Sequence, residues 1–275
     1  MIDDRLQQFL DTFSEETGFP ALSEAKELSL ANPDLSVVIA EDDQIVAVGA
    51  AAKHDHGDGS AHHAIETAVI PSMQFPAFEE MVAAQALAMV PAGPVSFWSQ
   101  RSTLDTALDA LGFRETRTLV HMIVDLPLGE QAVGFRSLAA DEHTSLIAIN
   151  NAAFSAHREA ANLTMADFEA LAAQPWFDRT GIIVATDDDG VIGFCWTKVH
   201  PGGDGEIYRI AVDPGAQGQG IGHQLVLAGF DYLNTERGAN TGTLWVEEDN
   251  LAAMKLYEAI GMRQDRRNRE FLRGG

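Results

Sequence analysis

AVDPGAQGQGIGHQL, residues 211–225, holds four glycines within eight positions, between a short apolar run and an apolar-periodic stretch that predicts a helix. The core of it, Gln217-Gly218-Gln219-Gly220-Ile221-Gly222, follows a Q-x-x-G-x-G pattern. Glycine accepts left-handed backbone and lets N–H groups come close to a ligand. Placed at a helix N-terminus, such backbone suits a phosphate or pyrophosphate. No Gly-Lys-Ser/Thr follows, so this is not a nucleoside-triphosphate loop. The spacing also differs from the dinucleotide fingerprint.

Outward from that loop the chain shows one rhythm twice. In the first half, helices are expected near 2–17 and 21–30. Next come a hairpin (SVVIA and IVAVGAA around EDDQ), a strand in AHHAIETAVI and a helix in FEEMVAAQALAMV stopped by PAGP. PVSFWSQ (strand), STLDTALDALGF (helix) and ETRTLVHMIVDL (strand) follow. The second half repeats the order, from helices in SLIAINNAAFSAHRE and MADFEALAAQPWF through the hairpin GIIVATDDDGVIGFCWTKV to the strand GEIYRIAVDP. A helix after the glycines, the strand TGTLWVEED, the helix NLAAMKLYEAIGM and the strand RQDRRNREFL complete it. TAVIP at 67–71 matches IAVDP at 210–214, and DALGF at 109–113 matches EAIGM at 258–262. Two copies of one α/β unit are expected, joined near 127–134.

Composition narrows the function classes. The 275 residues include 41 acidic and 18 basic side chains, a net charge of −23, which argues against nucleic acid as a partner. No apolar run reaches the roughly 18–20 residues of a membrane span. The start, MIDDRLQQFLDTF, lacks the basic and apolar regions of a signal peptide, so a cytoplasmic location is expected. The single cysteine, Cys195, allows no disulfide within the chain and reads as buried in a strand. His54, His56, His62 and His63 are dense but lack a ligand pattern, and are read as a solvated loop with no metal.

IYRIAVDPGAQGQGIGHQLV followed by LWVEEDNLAAMKLYEAIGM resembles the coenzyme A-binding core of the GCN5-related N-acetyltransferase (GNAT) family. The strings PWFDRTGIIVA, GFCWTKVHP, GEIYRIAVDP and VEEDNLAAMKLYEAIGM, with the tandem layout, resemble its mycothiol synthase branch. The likeness is strongest from about 174 to 262. It implies an α/β fold of two tandem GNAT-type domains, each a mixed, mostly antiparallel sheet flanked by helices. Residues 1–130 would form a degenerate copy and 131–275 the catalytic one. It implies acetyl-CoA as cosubstrate and transfer of acetyl to the cysteinyl amine of cysteinyl-glucosaminyl-inositol; another small amine or a protein N-terminus is the alternative acceptor. A monomer is expected.

Residue by residue, the resemblance puts the pyrophosphate against Gln217, Gly218, Gln219, Gly220, Ile221, Gly222 and His223, and the pantetheine arm along Ile210, Ala211 and Val212. Asn250 either touches the cofactor arm or caps its helix. Arg263, Arg266 and Arg267 either meet phosphates or form a solvated basic edge. Amine acetylation needs a proton acceptor and a donor to the leaving thiolate. Glu206 is the candidate base, against a solvated strand-start glutamate; Tyr257 is the candidate acid, against an aromatic packed on the sheet. Glu24, Glu159, Lys198, Glu206 and Tyr257 are the implied acceptor contacts. In the first half, SMQFPAFEE replaces the glycines. Pro76 removes a donor, and Glu79 and Glu80 are expected to oppose a pyrophosphate.

Overall fold

The computed structural model of the protein describes residues 3–18, 20–55, 61–130, 132, 134–155 and 163–273. In chain order the elements are α1 (Asp4–Thr17), α2 (Glu24–Ser29), β1 (Ser36–Glu41), β2 (Gln44–Asp55), β3 (Ala61–Val69), α3 (Pro76–Met89), β4 (Val95–Ser99), α4 (Ser102–Ala110) and β5 (Arg114–Asp125). The second half gives β6 (Arg136–Ser137), α5 (His143–Ala153), α6 (Met165–Ala172), β7 (Ile182–Asp187), β8 (Gly190–Val199), β9 (Gly205–Val212), α7 (Ile221–Thr235), β10 (Thr241–Glu247), α8 (Leu251–Ile260) and β11 (Arg263–Arg273). The expected element order holds in both halves, with one unexpected short strand, β6, ahead of the second.

Local chemistry explains the turns. Between β1 and β2, Asp42 and Asp43 have φ of 45° and 66°, the paired left-handed geometry that matches hairpin twist. Between β7 and β8 the Asp187 carboxylate accepts from the N–H groups of Asp189 (2.9 Å) and Gly190 (3.1 Å). This is an Asx-type closure. Helix α6 opens with a capping box, in which Thr164 and Asp167 exchange side chain-to-backbone hydrogen bonds.

The chain divides into two compact units, one of residues 1–118 with 267–275 and the other of 119–266. The cut expected near 130 differs from this division, and the physical reason lies in strand pairing. In the second unit β10 takes the end of β5 as its antiparallel neighbour, from Thr241↔Asp125 to Glu247↔Leu119. In the first unit β4 takes the end of β11, from Arg269↔Ser99 to Arg273↔Val95. Each unit therefore receives its last strand from the other half of the sequence.

In the second unit the sheet runs β6-β7-β8-β9-β10-β5, antiparallel except for β9 with β10. Alternating residues supply two cores. Ile182, Val184, Phe194 and Trp196 pack with Leu146, Ile149 and Phe168 of α5 and α6. Ile183, Ala185 and Cys195 pack with Leu225, Val226, Phe230 and Leu233 of α7 and with Met254 and Tyr257 of α8. Period-two burial on both faces is what helices on each side of a sheet require. The first unit repeats this. Leu6, Phe9 and Phe13 of α1 cover Val48, Ala50 and Ala68, while Ala83, Ala86, Leu104 and Leu108 cover Ala51, Ile65 and Phe97.

Candidate functional site

The site is in the second unit, where β9 meets two irregularities. The first is in its pairing with β8. Trp196 lies opposite Arg209 and Thr197 opposite Ile207, which leaves Tyr208 as an extra residue. This β-bulge re-aims the strand. Ile207 and Ile210, three apart, consequently enter the same core with Val212, while Tyr208 and Ala211 pack on the opposite face. The second is in the pairing with β10. The parallel ladder is recorded only at Gly205↔Gly242 and Glu206↔Thr243, although β9 continues to Val212 and β10 to Glu247. Past Glu206 the β10-facing edge of β9, including Ile210, Ala211 and Val212, has no ladder partner on that side. Such an edge offers backbone donors and acceptors to an extended ligand.

That strand delivers the chain to the glycine loop. Asp213 closes a short turn by accepting from the Gly215 N–H at 2.8 Å, and the Gln217 amide donates to the Val212 carbonyl at 3.2 Å. Gly218 and Gly220 have φ of +78° and +80°, and Gly220 is the N-cap of the 15-residue α7 with no side-chain cap. The first-turn N–H groups of Ile221, Gly222 and His223 have no intrahelical acceptors by construction. A Cβ built at Gly218 or Gly220 meets nothing within 4 Å, and at Gly222 nothing nearer than 3.8 Å. The glycines thus leave open space before an uncapped helix N-terminus. The residues present fit a pyrophosphate, whose charge the helix dipole and free N–H groups stabilise.

Glu206 begins β9 and has a partner that sequence reasoning missed. Its Oε2 is 2.6 Å from His200 Nε2. The carboxylate is 13% exposed and the imidazole 36%. His200 is brought there by the turn after β8, where its N–H donates to the Asp204 carbonyl (2.9 Å) and its carbonyl accepts from Gly203 N–H (2.8 Å). The Pro-Gly-Gly turn between two strand-like runs was the available signal. A second histidine–carboxylate pair lies on the same unit. His121 Nδ1 of β5 is 2.9 Å from Asp265 Oδ2, and its ring sits 4.7 Å from that of Trp245. Burial, then the Arg266 guanidinium, pushes the His121 pKa down, against the pull of Asp265 and Glu206.

Lys198 lies opposite Glu206 across the β8–β9 ladder, with its ammonium 4.5 Å from the Trp176 ring centroid and 5.6 Å from that of Tyr208. This cation–π seat fixes the lysine beside the start of β9. Tyr257 sits on α8 in the apolar core beside Cys195, only 7% exposed. Burial pushes its phenol up to about 12. The packed-aromatic description therefore holds for most of the ring. Glu206 and Tyr257 are not brought into mutual contact; the recorded partner of Glu206 is His200.

Asn250 caps α8, its Oδ1 accepting from the Ala253 N–H at 3.1 Å. Arg266 is held by Asp265 at 2.6 Å and lies 5.5 Å from the Trp245 ring centroid; Arg263 is exposed at the start of β11, and Arg267 is counted with the first unit. Cys195 is fully buried against Gly229 of α7, and desolvation pushes its thiol pKa up. Glu159 lies outside the described residues. Glu24 opens α2 in the first unit, and its side chain also lies outside the described set.

The equivalent place in the first unit is built differently. Its β2–β3 ladder runs from Ala47↔Val69 to Asp55↔Ala61 with no shift. Its parallel β3–β4 ladder holds for four pairs, His63↔Val95 to Glu66↔Trp98. At the next residue the Arg101 guanidinium donates to the Thr67 carbonyl at 2.9 Å. The same guanidinium grips Glu79, in the first turn of α3, at 2.8 and 3.1 Å. Glu79 is fully buried. Glu79, expected with Glu80 to oppose a pyrophosphate by its charge, has that charge paired with Arg101, while Glu80 is exposed. The histidines are corrected too. His62 belongs to β3, not a loop; it is buried, with Nε2 3.0 Å from Ser96 Oγ, while His56 lies outside the described residues. Among the described residues no group of three His, Cys, Asp or Glu is placed to hold a metal, and no helix is long and apolar enough to cross a membrane.

Comparison with known proteins agrees with this geometry. Residues 145–262 match the model of the acetyltransferase (GNAT) family. A mycothiol acetyltransferase of Nocardia farcinica is 33% identical over 275 residues, covering 94% of this chain and 89% of that protein. One from Thermomonospora curvata is 37% identical over 179 residues, 62% of this chain and 60% of its own. For several such relatives the matched stretch spans 43% to 60% of their length. Among solved structures, a tandem GNAT protein from the clavulanic acid biosynthesis pathway superposes with a TM-score of 0.70 at 15% identity, covering 99% of this chain and 95% of that one.

Proposed function

The chain belongs to the acetyltransferase (GNAT) family, and from that premise we propose that it transfers acetyl from acetyl-CoA to the cysteinyl amine of cysteinyl-glucosaminyl-inositol, with the chemistry in the second unit. The observation that carries the reading is the parting of β9 from β10 beyond Glu206, leading into an uncapped helix N-terminus lined by left-handed glycines. The relatives named as mycothiol acetyltransferases, and the sequence likeness over 174–262, support the acceptor.

Acetyl-CoA supplies the acyl group activated as a thioester. Residues 217–223 hold its pyrophosphate, and the open edge at Ile210, Ala211 and Val212 pairs with its pantetheine amides. A backbone N–H of that edge stabilises the charge that develops on the carbonyl oxygen. Glu206 takes the proton of the acceptor ammonium, so that a neutral amine attacks. Tyr257 returns a proton to the departing thiolate; a phenol whose pKa stands at about 12 stays protonated throughout the neutral range. Lys198, set over Trp176 and Tyr208, presents a cation to hydroxyl oxygens of the acceptor. The first unit serves as scaffold, because Arg101 and Glu79 occupy the equivalent position. The protein acts as a monomer in the cytoplasm.

The test is acetylation by the purified protein, followed by chromatography of the products, with cysteinyl-glucosaminyl-inositol beside a panel of small amines and N-terminal peptides. Preference for the pseudo-disaccharide is expected. Turnover of another amine alone would move the acceptor assignment while leaving the acetyltransferase assignment in place.

A further inference from the structure

The bulge in β9 sets two neighbouring side chains on one face of the sheet. Tyr208 packs with α5 and α6, and Arg209 lies opposite Trp196, which belongs to the same core. Lys198, two residues past Trp196 and opposite Glu206, shares that face. Helix α7 packs on the other face, with Ile207 and Cys195. The Lys198 ammonium is 5.6 Å, and the Arg209 guanidinium carbon 6.0 Å, from the Tyr208 ring centroid. Two cations thus stand about one ring in a chain whose net charge is −23. The fold uses only part of the Arg209 side chain. Its Nη1 donates to the Oδ1 of buried Asn150 on α5 at 3.0 Å, which takes one of the five donors of a guanidinium. None of its other nitrogens is buried without a partner, so they open to solvent. Aligning TAVIP with IAVDP sets Glu66 against Arg209, and there the side chain is fully used. The Glu66 carboxylate accepts from the N–H of Ser23 at 2.6 Å and its hydroxyl at 2.7 Å, and the Lys26 ammonium lies at 3.5 Å.

We propose that Arg209 is a specificity-determining residue, which binds a pair of neighbouring hydroxyls at the polyol end of the acceptor, alongside Lys198 at the Tyr208 ring. This rests on the assignment of cysteinyl-glucosaminyl-inositol as acceptor and of Glu206 as the partner of its amine. A guanidinium presents paired N–H groups in a fixed plane, at a spacing that two adjacent oxygens can accept; an ammonium does not. The charges also set direction. Two cations repel an ammonium, and a carboxylate attracts it. An acceptor with its amine at one end and its hydroxyls at the other is therefore turned one way, amine to Glu206 and hydroxyls to Arg209 and Lys198. A small amine that carries no hydroxyls gains nothing from the guanidinium, so Arg209 discriminates between acceptors without touching the reacting atoms.

The experiment measures steady-state kinetics of the full chain as wild type, Arg209→Gln and Arg209→Lys, with acetyl-CoA and two acceptors. One is cysteinyl-glucosaminyl-inositol; the other is the cyclohexylamide of cysteine, which keeps the cysteinyl amine and lacks every hydroxyl. For the polyol, KM should rise about tenfold in Arg209→Gln, as expected for lost hydrogen bonds to a charged group. The kcat and the KM for acetyl-CoA should stay at wild-type values, and so should kcat/KM for the cyclohexylamide. Arg209→Lys keeps the charge and loses the fork, so it should recover only part of the polyol KM. Circular dichroism identifies a variant that has lost its fold, and the other variant then decides. An unchanged polyol KM in a folded Arg209→Gln, or full recovery in Arg209→Lys, overturns the proposal. Equal losses for both acceptors also overturn it, since Arg209 would then serve only to tie β9 to α5. If the wild type does not acetylate the polyol, the acceptor assignment falls and this inference with it. If the wild type does and Arg209→Gln matches it, only this inference falls.

Discussion

The two units build the same place of one fold in two ways. At Glu206 the second unit's parallel ladder stops after two pairs, a bulge at Tyr208 turns the strand, and two left-handed glycines lead into a bare helix N-terminus. At the matching place the first unit keeps four parallel pairs and an unbroken antiparallel ladder. Beyond its last pair Arg101 bonds both the Thr67 carbonyl and the buried Glu79. The helix opening there is Pro76-Ala77-Phe78-Glu79, where Pro76 lacks an N–H. Aligning TAVIP with IAVDP sets Thr67 against Ile210, so the carbonyl that Arg101 engages is the counterpart of one left open in the second unit. Likewise DALGF against EAIGM sets buried Leu108 against Tyr257; an aliphatic side chain with no proton to give stands where the second unit has a phenol.

The comparison is sharpened most by removing the proposed base. Glu206→Gln should lower kcat by about 10²–10⁴-fold while leaving coenzyme A affinity near the wild-type value, measured by steady-state kinetics and titration. Retained kcat would move the chemistry off β9.

Arg101→Met strips a fully buried carboxylate of its cation. It should cost about 3–5 kcal/mol, read as a lower urea midpoint, because an uncompensated charge remains in the interior. A shift below about 1 kcal/mol would mean that the ion pair does not hold the first unit closed.

Tyr257→Phe keeps the packing of the ring and deletes its proton. A fall in kcat of about 10²-fold is expected, the lower end of what a proton-transfer group contributes. The kcat of the parent enzyme should show no alkaline decline from this group until pH nears 12, since burial holds the phenol protonated.

The smallest effect concerns acid stability. The folded-state pKa of His121 is lowered from its ordinary 6.5 by burial and by Arg266. The unfolded chain then binds the proton more readily than the native one. Stability from this group is complete above about 6.5 and declines as pH falls through that value toward the folded pKa, by at most about 1.4 kcal/mol per pH unit. His121→Gln should flatten that part of the curve of unfolding free energy against pH.

Much of this was legible because it is local. The hairpins were marked by EDDQ and TDDDG, whose aspartates either accept left-handed φ or bond their own backbone. The glycine loop announced itself by composition, and the cap role of Asn250 by its place before an apolar helix. What stayed hidden depends on distant partners. β5 and β11 read as strands whichever sheet receives them, so their exchange between units left no mark in the residue pattern. Arg101 and Glu79 are 22 residues apart, and a glutamate at a helix start reads as solvated or dipole-stabilising until its arginine is seen. The bulge at Tyr208 is one residue of register in EIYRIAV, and only the partner strand reveals it. His200 stands in a Pro-Gly-Gly turn, and only the folded chain shows that the carboxylate six residues on returns beside it.

The claim that one slot is open and the other closed is tested most directly by calorimetric titration of coenzyme A into the wild type and into Gly218→Ala/Gly220→Ala. Alanine at each position forces a side chain into left-handed backbone, about 1–2 kcal/mol apiece, and narrows the approach to the helix N-terminus. One site per chain is predicted for the wild type, with affinity at least tenfold weaker in the variant. Two sites per chain, or one site whose affinity the variant leaves intact, would contradict it.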